Sequence, residues 1–324
     1  MARLRRVSVS SPGYGRRRAG RGWVYLDVDG TPLRDAEEVA RCRRLVIPPA
    51  WQDVWICRDP DGHVQAFGHD DAGRGQYLYH EQWTERRSRR KHDHVLDVAR
   101  RLPAARRRVT RALAEPGLGR DKVLALAFRL LDLAYFRAGG EMYARQNKSF
   151  GLATIRKEHA VVHQDGSVLF RYPAKSGQVR EVAVDDPVVA SLVTTMKRRR
   201  GGTDLLAWRD DDGWHDVTSA DVQAAITEQL GPDATPKDFR TWHATVLAAR
   251  ALADAGPPPS SARGRRRVIA AVVRDVAEEL GNTPAVARAS YIDPRLTDLW
   301  ENGETVGPTR SHRTAEHQVL DLLT

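Results

Sequence analysis

The apolar residues of this chain change their period near Glu81, and that change limits the possible folds more than any other feature. Up to about Trp83 they fall in short alternating runs separated by turn signals; beyond Glu81 they recur at helical spacing. Trp23 to Val28 ends at Asp29-Gly30, Val54 to Cys57 is joined through Asp59-Pro60-Asp61-Gly62 to Val64 to Gly68 as a hairpin, and Gln76 to Tyr79 reads as a strand edge. One helix is expected near Ala36 to Arg44. The charged segment Glu81 to Arg101 reads as a helical hinge, and Lys122 to Arg137 places Val123, Leu126, Leu130, Leu133 and Ala134 on a helical face. A β interlude follows: Ala153 to Arg156, Ala160 to Val162, Val168 to Tyr172 and Val179 to Val184, with turns at Gln164-Asp165-Gly166 and at Ala174-Lys175-Ser176-Gly177. From Pro187 onward the pattern is mainly helical, broken at Gly256 to Ser261 before a helix over Arg266 to Leu280. The expected class is α+β: a small β-rich N-terminal domain over 22–92, and a larger, mainly helical catalytic domain over 93–324 that carries a three-stranded hairpin sheet. Residues 1–21, rich in Arg, Gly and Ser, read as a disordered basic arm. The tail after Glu301 carries no assignment.

Charge narrows the partner. Lys and Arg number 52 against 42 Asp and Glu, a net of +10 in 324 residues. Such a balance suits a polyanion, because each phosphate neutralised releases counterions. No apolar run is long enough to span a bilayer, and the basic start is followed by no apolar stretch of the kind a secretory signal needs. The two cysteines, Cys42 and Cys57, make neither a disulfide framework nor a zinc motif. The expectations from composition are a reducing cytosol, no membrane partner, and either a nucleic-acid partner or an Arg-rich solvated surface.

Breaking a DNA strand without hydrolysis has definite chemical requirements. A hydroxyl must attack phosphorus, the pentavalent transition state gathers negative charge on its equatorial oxygens, and the departing 5′-oxygen needs a proton. Arginine forks answer the charge, a lysine can supply the proton, and a tyrosine can attack. Four segments offer this set: Tyr135-Phe136-Arg137, the turn bearing Lys175, Lys237-Asp238-Phe239-Arg240-Thr241-Trp242, and Gly281-Asn282-Thr283-Pro284 through Ser290-Tyr291. Taken singly, each has an ordinary reading. Arg137 would be a cation closing an apolar helix, Lys175 a solvated turn residue, Arg240 a surface partner of Asp238, and Tyr291 a core tyrosine.

Taken in order, they resemble the type IB DNA topoisomerases, in the compact form found in poxviruses and bacteria, over roughly Ile47 to Trp300. That family's order is arginine, lysine, arginine, histidine or asparagine, then tyrosine. Here Arg137 precedes Gly139-Gly140-Glu141-Met142-Tyr143, Lys175 lies on the hairpin, Lys-Asp-Phe-Arg240-Thr is close to the family's KDLRT, and Asn282 precedes Tyr291. Asparagine in place of the poxvirus histidine can donate a hydrogen bond but carries no charge. Gly73-Arg74-Gly75-Gln76-Tyr77-Leu78-Tyr79 resembles the family's GRRQYxY strand, which enters the major groove, with Gly75 where an arginine is usual. The resemblance implies DNA contacts from Arg74, Gln76, Tyr77, Tyr79 and Tyr143. It also implies that Tyr291 forms a 3′-phosphotyrosyl bond, that Arg137, Arg240 and Asn282 hold the phosphate, and that Lys175 protonates the leaving 5′-oxygen. Strand rotation would then relax supercoils without ATP, cofactor or metal. The resemblance further implies a cytoplasmic, nucleoid-associated monomer with no membrane partner, its two domains closing around duplex DNA as a clamp. A tyrosine recombinase shares this chemistry but usually shows HxxR at the second arginine, where Lys237 stands here, and a helical N-terminal segment. A non-catalytic basic DNA-binding protein explains the charge but not the ordered set.

Overall fold

The computed structural model describes residues 3–324. Contacts divide the chain into two units, one up to Lys91 and one from His92 onward. In the first, β1 (Tyr14–Ala19), β2 (Gly22–Leu26), β3 (Gln52–Ile56), β4 (Val64–His69) and β5 (Gly75–Tyr79) form an antiparallel sheet ordered β2-β1-β3-β4-β5. Helix α1 (Ala36–Arg44) lies between β2 and β3 in sequence, and Asp35 caps it by accepting from the amides of Glu37 and Glu38. Its Cys42 is buried with Tyr14, Tyr25, Ile47, Val54, Ile56 and Ala66 in one apolar cluster.

The expected disordered arm is corrected here. Among its described residues, Tyr14–Ala19 form β1, which pairs with β2 on one side and β3 on the other, and Arg5 bridges to Gly62. The positions Met1 and Ala2 lie outside the described residues. Composition misled because Arg16 is not a solvated charge. Its guanidinium donates to the carbonyls of Ile47, Pro48 and Trp51 and lies 3.9 Å from the centre of the Trp23 ring. A run of arginines thus becomes a paired strand once one of them has buried acceptors.

Helix α2 (Glu81–Ala114) begins in the first unit and continues into the second. There follow α3 (Arg120–Ala134) and α4 (Glu141–Asn147), then β6 (Ala160–Val162), β7 (Ser167–Pro173) and β8 (Val179–Asp185) as a three-stranded antiparallel sheet. Next come α5 (Pro187–Lys197), a hairpin of β9 (Ala207–Asp210) and β10 (Gly213–Asp216), and α6 (Ser219–Leu230). The chain continues with α7 (Pro236–Asp254), α8 (Ala262–Leu280), α9 (Pro284–Ser290), α10 (Arg295–Glu301) and α11 (His312–Leu323). α+β is therefore the observed class. Two details depart from the sequence reading. The expected strand at Ala153 to Arg156 is a 3₁₀ turn over Leu152–Thr154, because the Thr154 hydroxyl accepts from the Gly151 amide at 3.0 Å and competes with a ladder. And β9 and β10 interrupt a region expected to be helical, turning at Gly213 with φ of +123°, a conformation that favours glycine.

Helices α3 and α7 form the centre of this unit. Both bury residues on nearly every face, as a helix enclosed by others must. Phe128 of α3 meets Phe239 of α7 edge to face at 5.0 Å, each ring being fully buried; a side chain of this kind contributes roughly 1.5–3 kcal/mol through burial. This contact fixes the turn of α7 on which the neighbouring Arg240 stands.

Candidate active site

Helix α7 opens with a capping box: the amide and hydroxyl of Thr235 both donate to Asp238, at 2.7 and 2.9 Å. Asp238 is thereby used as a cap, also 3.4 Å from His94, and is not the surface ion partner of Arg240. Arg240 is instead 3 % exposed. It donates to the Tyr135 carbonyl and, at 2.8 Å, to the Leu280 carbonyl. Its guanidinium lies 5.1 Å from the centre of the Tyr291 ring. Burial, with Arg137 adding to it, brings the Arg240 pKa down to about 10, so the group is still a cation at neutral pH. Lys237, one helical turn earlier, places its ammonium 5.9 Å from the same ring.

Arg137 does not lie in a helix. α3 stops at Ala134, and Tyr135 takes the left-handed conformation at φ of +55°. The next residues run as a loop fastened to the 3₁₀ turn, Leu152 donating to the Arg137 carbonyl and Ala153 to that of Ala138, both at 2.8 Å. From there the Arg137 guanidinium donates to the Gly281 carbonyl at 3.1 Å and to Asn282 Oδ1 at 2.6 Å. Both arginines thus hold carbonyls at the C-terminal end of α8, where the helix leaves acceptors unsatisfied and its dipole favours cations. Gly281 ends that helix at φ of +59°, and Thr283 caps α9, whose last turn delivers Tyr291. Two donors in the cluster have no acceptor: Arg240 Nε and Asn282 Nδ2 are buried and unpartnered. Buried donors are normally satisfied, so a pair left open beside two guanidiniums marks a place for an anion.

The structure brings together Arg137, Arg240, Asn282 and Tyr291. It does not bring Lys175 to them: that residue is exposed on the 3₁₀ turn Lys175–Gly177 between β7 and β8, with no partner among the described residues. On β5 the alternation separates the DNA-contact candidates. Tyr77 and Tyr79 are exposed on one face with rings stacked at 5.8 Å, and Arg87 lies 5.5 Å from the Tyr79 ring centre. Gln76 points the other way and donates to Asp70 at 3.0 Å, and Arg74 holds the same carboxylate at 2.8 Å. Tyr143 is exposed on α4 beside Met142.

Beneath the site lies a network that the sequence reading missed. Arg106 of α2 donates to both oxygens of Asp132 at 2.7 Å and to both of Glu316 at 2.5 and 2.8 Å. Trp242 also donates to Glu316, at 2.9 Å, and His243 faces Asp132 at 3.1 Å and His312 at 3.0 Å. The His243 ring packs 4.7 Å from that of Tyr135, whose carbonyl Arg240 holds. Burial alone raises the pKa of Asp132, but the bonds from His243 and Arg106 outweigh it and keep the carboxylate charged. His243, His312 and Glu316 bring ligand-type atoms within 4.8 Å of one another, yet both Glu316 oxygens already accept from Arg106. The cluster is complete as a hydrogen-bonded support.

Comparison with known proteins identifies the family of the chain. Residues 80–304, which hold all five candidate catalytic positions, match the family described as eukaryotic DNA topoisomerase I, catalytic core. Residues 22–70 match the N-terminal domain of bacterial DNA topoisomerase IB. The chain belongs to the type IB DNA topoisomerase family. A similar protein is the DNA topoisomerase 1B of Acanthamoeba polyphaga mimivirus, 29% identical over 296 residues that cover 90% of this chain and 88% of the viral one. The chain is therefore a topoisomerase, an enzyme acting on DNA. No helix among the described residues is long and apolar enough to cross a membrane.

Proposed function

We propose that this topoisomerase relaxes supercoiled duplex DNA by a transient break in one strand, with Tyr291 as nucleophile. The observation that carries the reading is the pair of buried donors unpartnered among the described residues, Arg240 Nε and Asn282 Nδ2, in the cluster where the Arg240 guanidinium lies 5.1 Å from the centre of the Tyr291 ring. Tyr291 Oη attacks phosphorus, forming a 3′-phosphotyrosyl ester as the bond to the 5′-oxygen breaks. Arg137, Arg240 and Asn282 receive the charge that builds on the equatorial oxygens, and being fixed beforehand they need little reorganisation. Lys175 gives its proton to the departing 5′-oxygen. One ester replaces another, so the bond energy is kept and neither ATP nor metal enters. The free end rotates, and the 5′-hydroxyl then attacks back, restoring Tyr291. Tyr77, Tyr79, Arg74, Gln76 and Tyr143 are assigned to duplex contact. Arg74 and Gln76 would have to exchange Asp70 for DNA, and the working form is a monomer.

The test is plasmid relaxation in EDTA. The wild-type protein should give a ladder of topoisomers, and Tyr291→Phe should give none while still retarding duplex DNA. A Tyr291→Phe protein that still yields a detergent-trapped covalent adduct would remove Tyr291 from this role.

A further inference from the structure

The C-terminal end of α8 receives three guanidiniums, not two. Arg240 donates to the Leu280 carbonyl, Arg137 to that of Gly281, and Arg180 of β8 donates Nη1 to that of Glu278 at 3.3 Å. Arg180 is 9 % exposed, has no ion pair among the described residues, and leaves Nη2 buried and unpartnered. Its Cδ lies 2.9 Å from where a Cβ at Gly281 would stand, so the arginine stem and the helix end are packed against each other. Across the hairpin Arg180 pairs in register with Tyr172. The next rung is Pro173 with Val179, and the chain between these strands is the turn that carries Lys175. A buried cation with no ion pair among the described residues, set beside two others, does not favour folding over an apolar residue of the same shape. What it does supply is a fixed link between two elements.

We propose that Arg180 is a positioning residue that ties the root of the Lys175 hairpin to the α8–α9 turn, so that the lysine meets the leaving oxygen in register with the arginine clamp. The proposal rests on the reading of Lys175 as general acid. Arg180 then acts through Lys175, and its removal matters only where a proton must be delivered.

Two substrates separate these roles. A 5′-bridging phosphorothiolate expels a thiolate, a weak base that leaves without a proton, whereas ordinary DNA needs the acid. Single-turnover cleavage is measured on both for the wild type, Lys175→Ala and Arg180→Met, with duplex affinity measured in parallel. Arg180→Met should slow cleavage of ordinary DNA by roughly 10- to 100-fold, the scale expected when a reacting group is displaced by about an ångström. It should cleave the phosphorothiolate at close to the wild-type rate, with affinity unchanged. Arg180→Lys, which keeps charge and most of the stem, should recover part of the loss. Should Arg180→Met melt well below the wild type, Arg180→Lys carries the same two-substrate comparison. If Lys175→Ala is rescued by sulfur and the Arg180 variants are equally slow on both substrates, or unaffected on both, the positioning role is overturned. If Lys175→Ala itself is not rescued, the general-acid reading fails first and takes this proposal with it.

Discussion

The arginine cluster and the Lys175 turn, joined in the reaction proposed above, are built in opposite ways. Arg240 is almost wholly buried, bonded to two carbonyls, and stands on a helix fixed by Phe239 and a capping box. Arg137 sits on a loop fastened by backbone bonds on both sides of it. Lys175 is exposed, on a short turn, with no partner among the described residues. The difference follows the chemistry. Stabilising charge in a transition state is most effective when the donors are fixed before reaction, because reorganisation is then avoided. A proton donor needs only to reach the leaving atom in the reacting complex, and such contacts often form only there.

The largest expected effects test the fixed side. Arg240→Ala and Arg137→Ala should each lower the cleavage rate by on the order of 10² to 10⁵. Neither should be rescued by a 5′-bridging phosphorothiolate, since the sulfur replaces an oxygen that these groups do not touch. Rescue of either would place that arginine with the leaving group and erase the division drawn above. Lys175→Ala should come next: crippled on ordinary DNA, close to wild type on the sulfur substrate. A defect equal on both would make Lys175 a phosphate-clamp residue.

Asn282→Ala should be milder. Asn282 offers one neutral amide donor, and Arg137 keeps its bond to the Gly281 carbonyl when Asn282 Oδ1 is gone. A hydrogen bond from a neutral donor to a charged oxygen contributes about 1.5–3 kcal/mol, or roughly a 10- to 150-fold change in rate if it acts in the transition state, toward the low end of what the arginines supply. Single-turnover cleavage by Asn282→Ala as slow as by Arg240→Ala would show that the amide does more than assist.

What could be read in advance depended on how locally each feature is encoded. Arg240 was legible because its helix start is written nearby, as Thr235 with Asp238, and because Lys-Asp-Phe-Arg-Thr is a compact run. The β5 face was legible from its alternation, which sets Tyr77 and Tyr79 outward. Arg180 was not. Alternation sets it on the face of Val182 and Val184, whereas Arg171 lies on the face opposite to the buried Phe170 and Tyr172, but a charged side chain argues against an inward place. Arg171 forms an exposed pair with Glu181 while Arg180 turns inward, where the carbonyl it meets, that of Glu278, is a tertiary fact. The support network is still less local: Arg106 and Glu316 are 210 positions apart, Asp132 and His243 111. The tail beyond Glu301 had no motif, yet its α11 supplies two members of that network.

That tail gives the smallest expected effect, and it asks whether the fixed side depends on its support. His312 of α11 faces His243, with Glu316, Arg106 and Asp132 around the pair. Burial, with His243 adding to it, lowers the His312 pKa from 6.5 to about 4. Between those values the unfolded chain binds a proton that the folded one does not, so this contribution to stability is intact above pH 6.5 and declines as the pH falls toward 4. The full effect is no more than about 3 kcal/mol, and less in practice because a third of the side chain meets solvent. Asp132 and Glu316, both held low by Arg106, add their own loss only below the ordinary carboxylate range. His312→Gln should therefore flatten the decline in urea-unfolding stability between pH 6.5 and 4.5, while cleavage at pH 7 changes by only a few-fold, because an uncharged imidazole is replaced by an uncharged amide. Parallel stability curves would remove His312 from the acid response. A large loss of cleavage at pH 7 with stability unchanged would mean that the network sets the placement of Arg240 through Tyr135 and His243, and the fixed side of the comparison would then extend to the end of the chain.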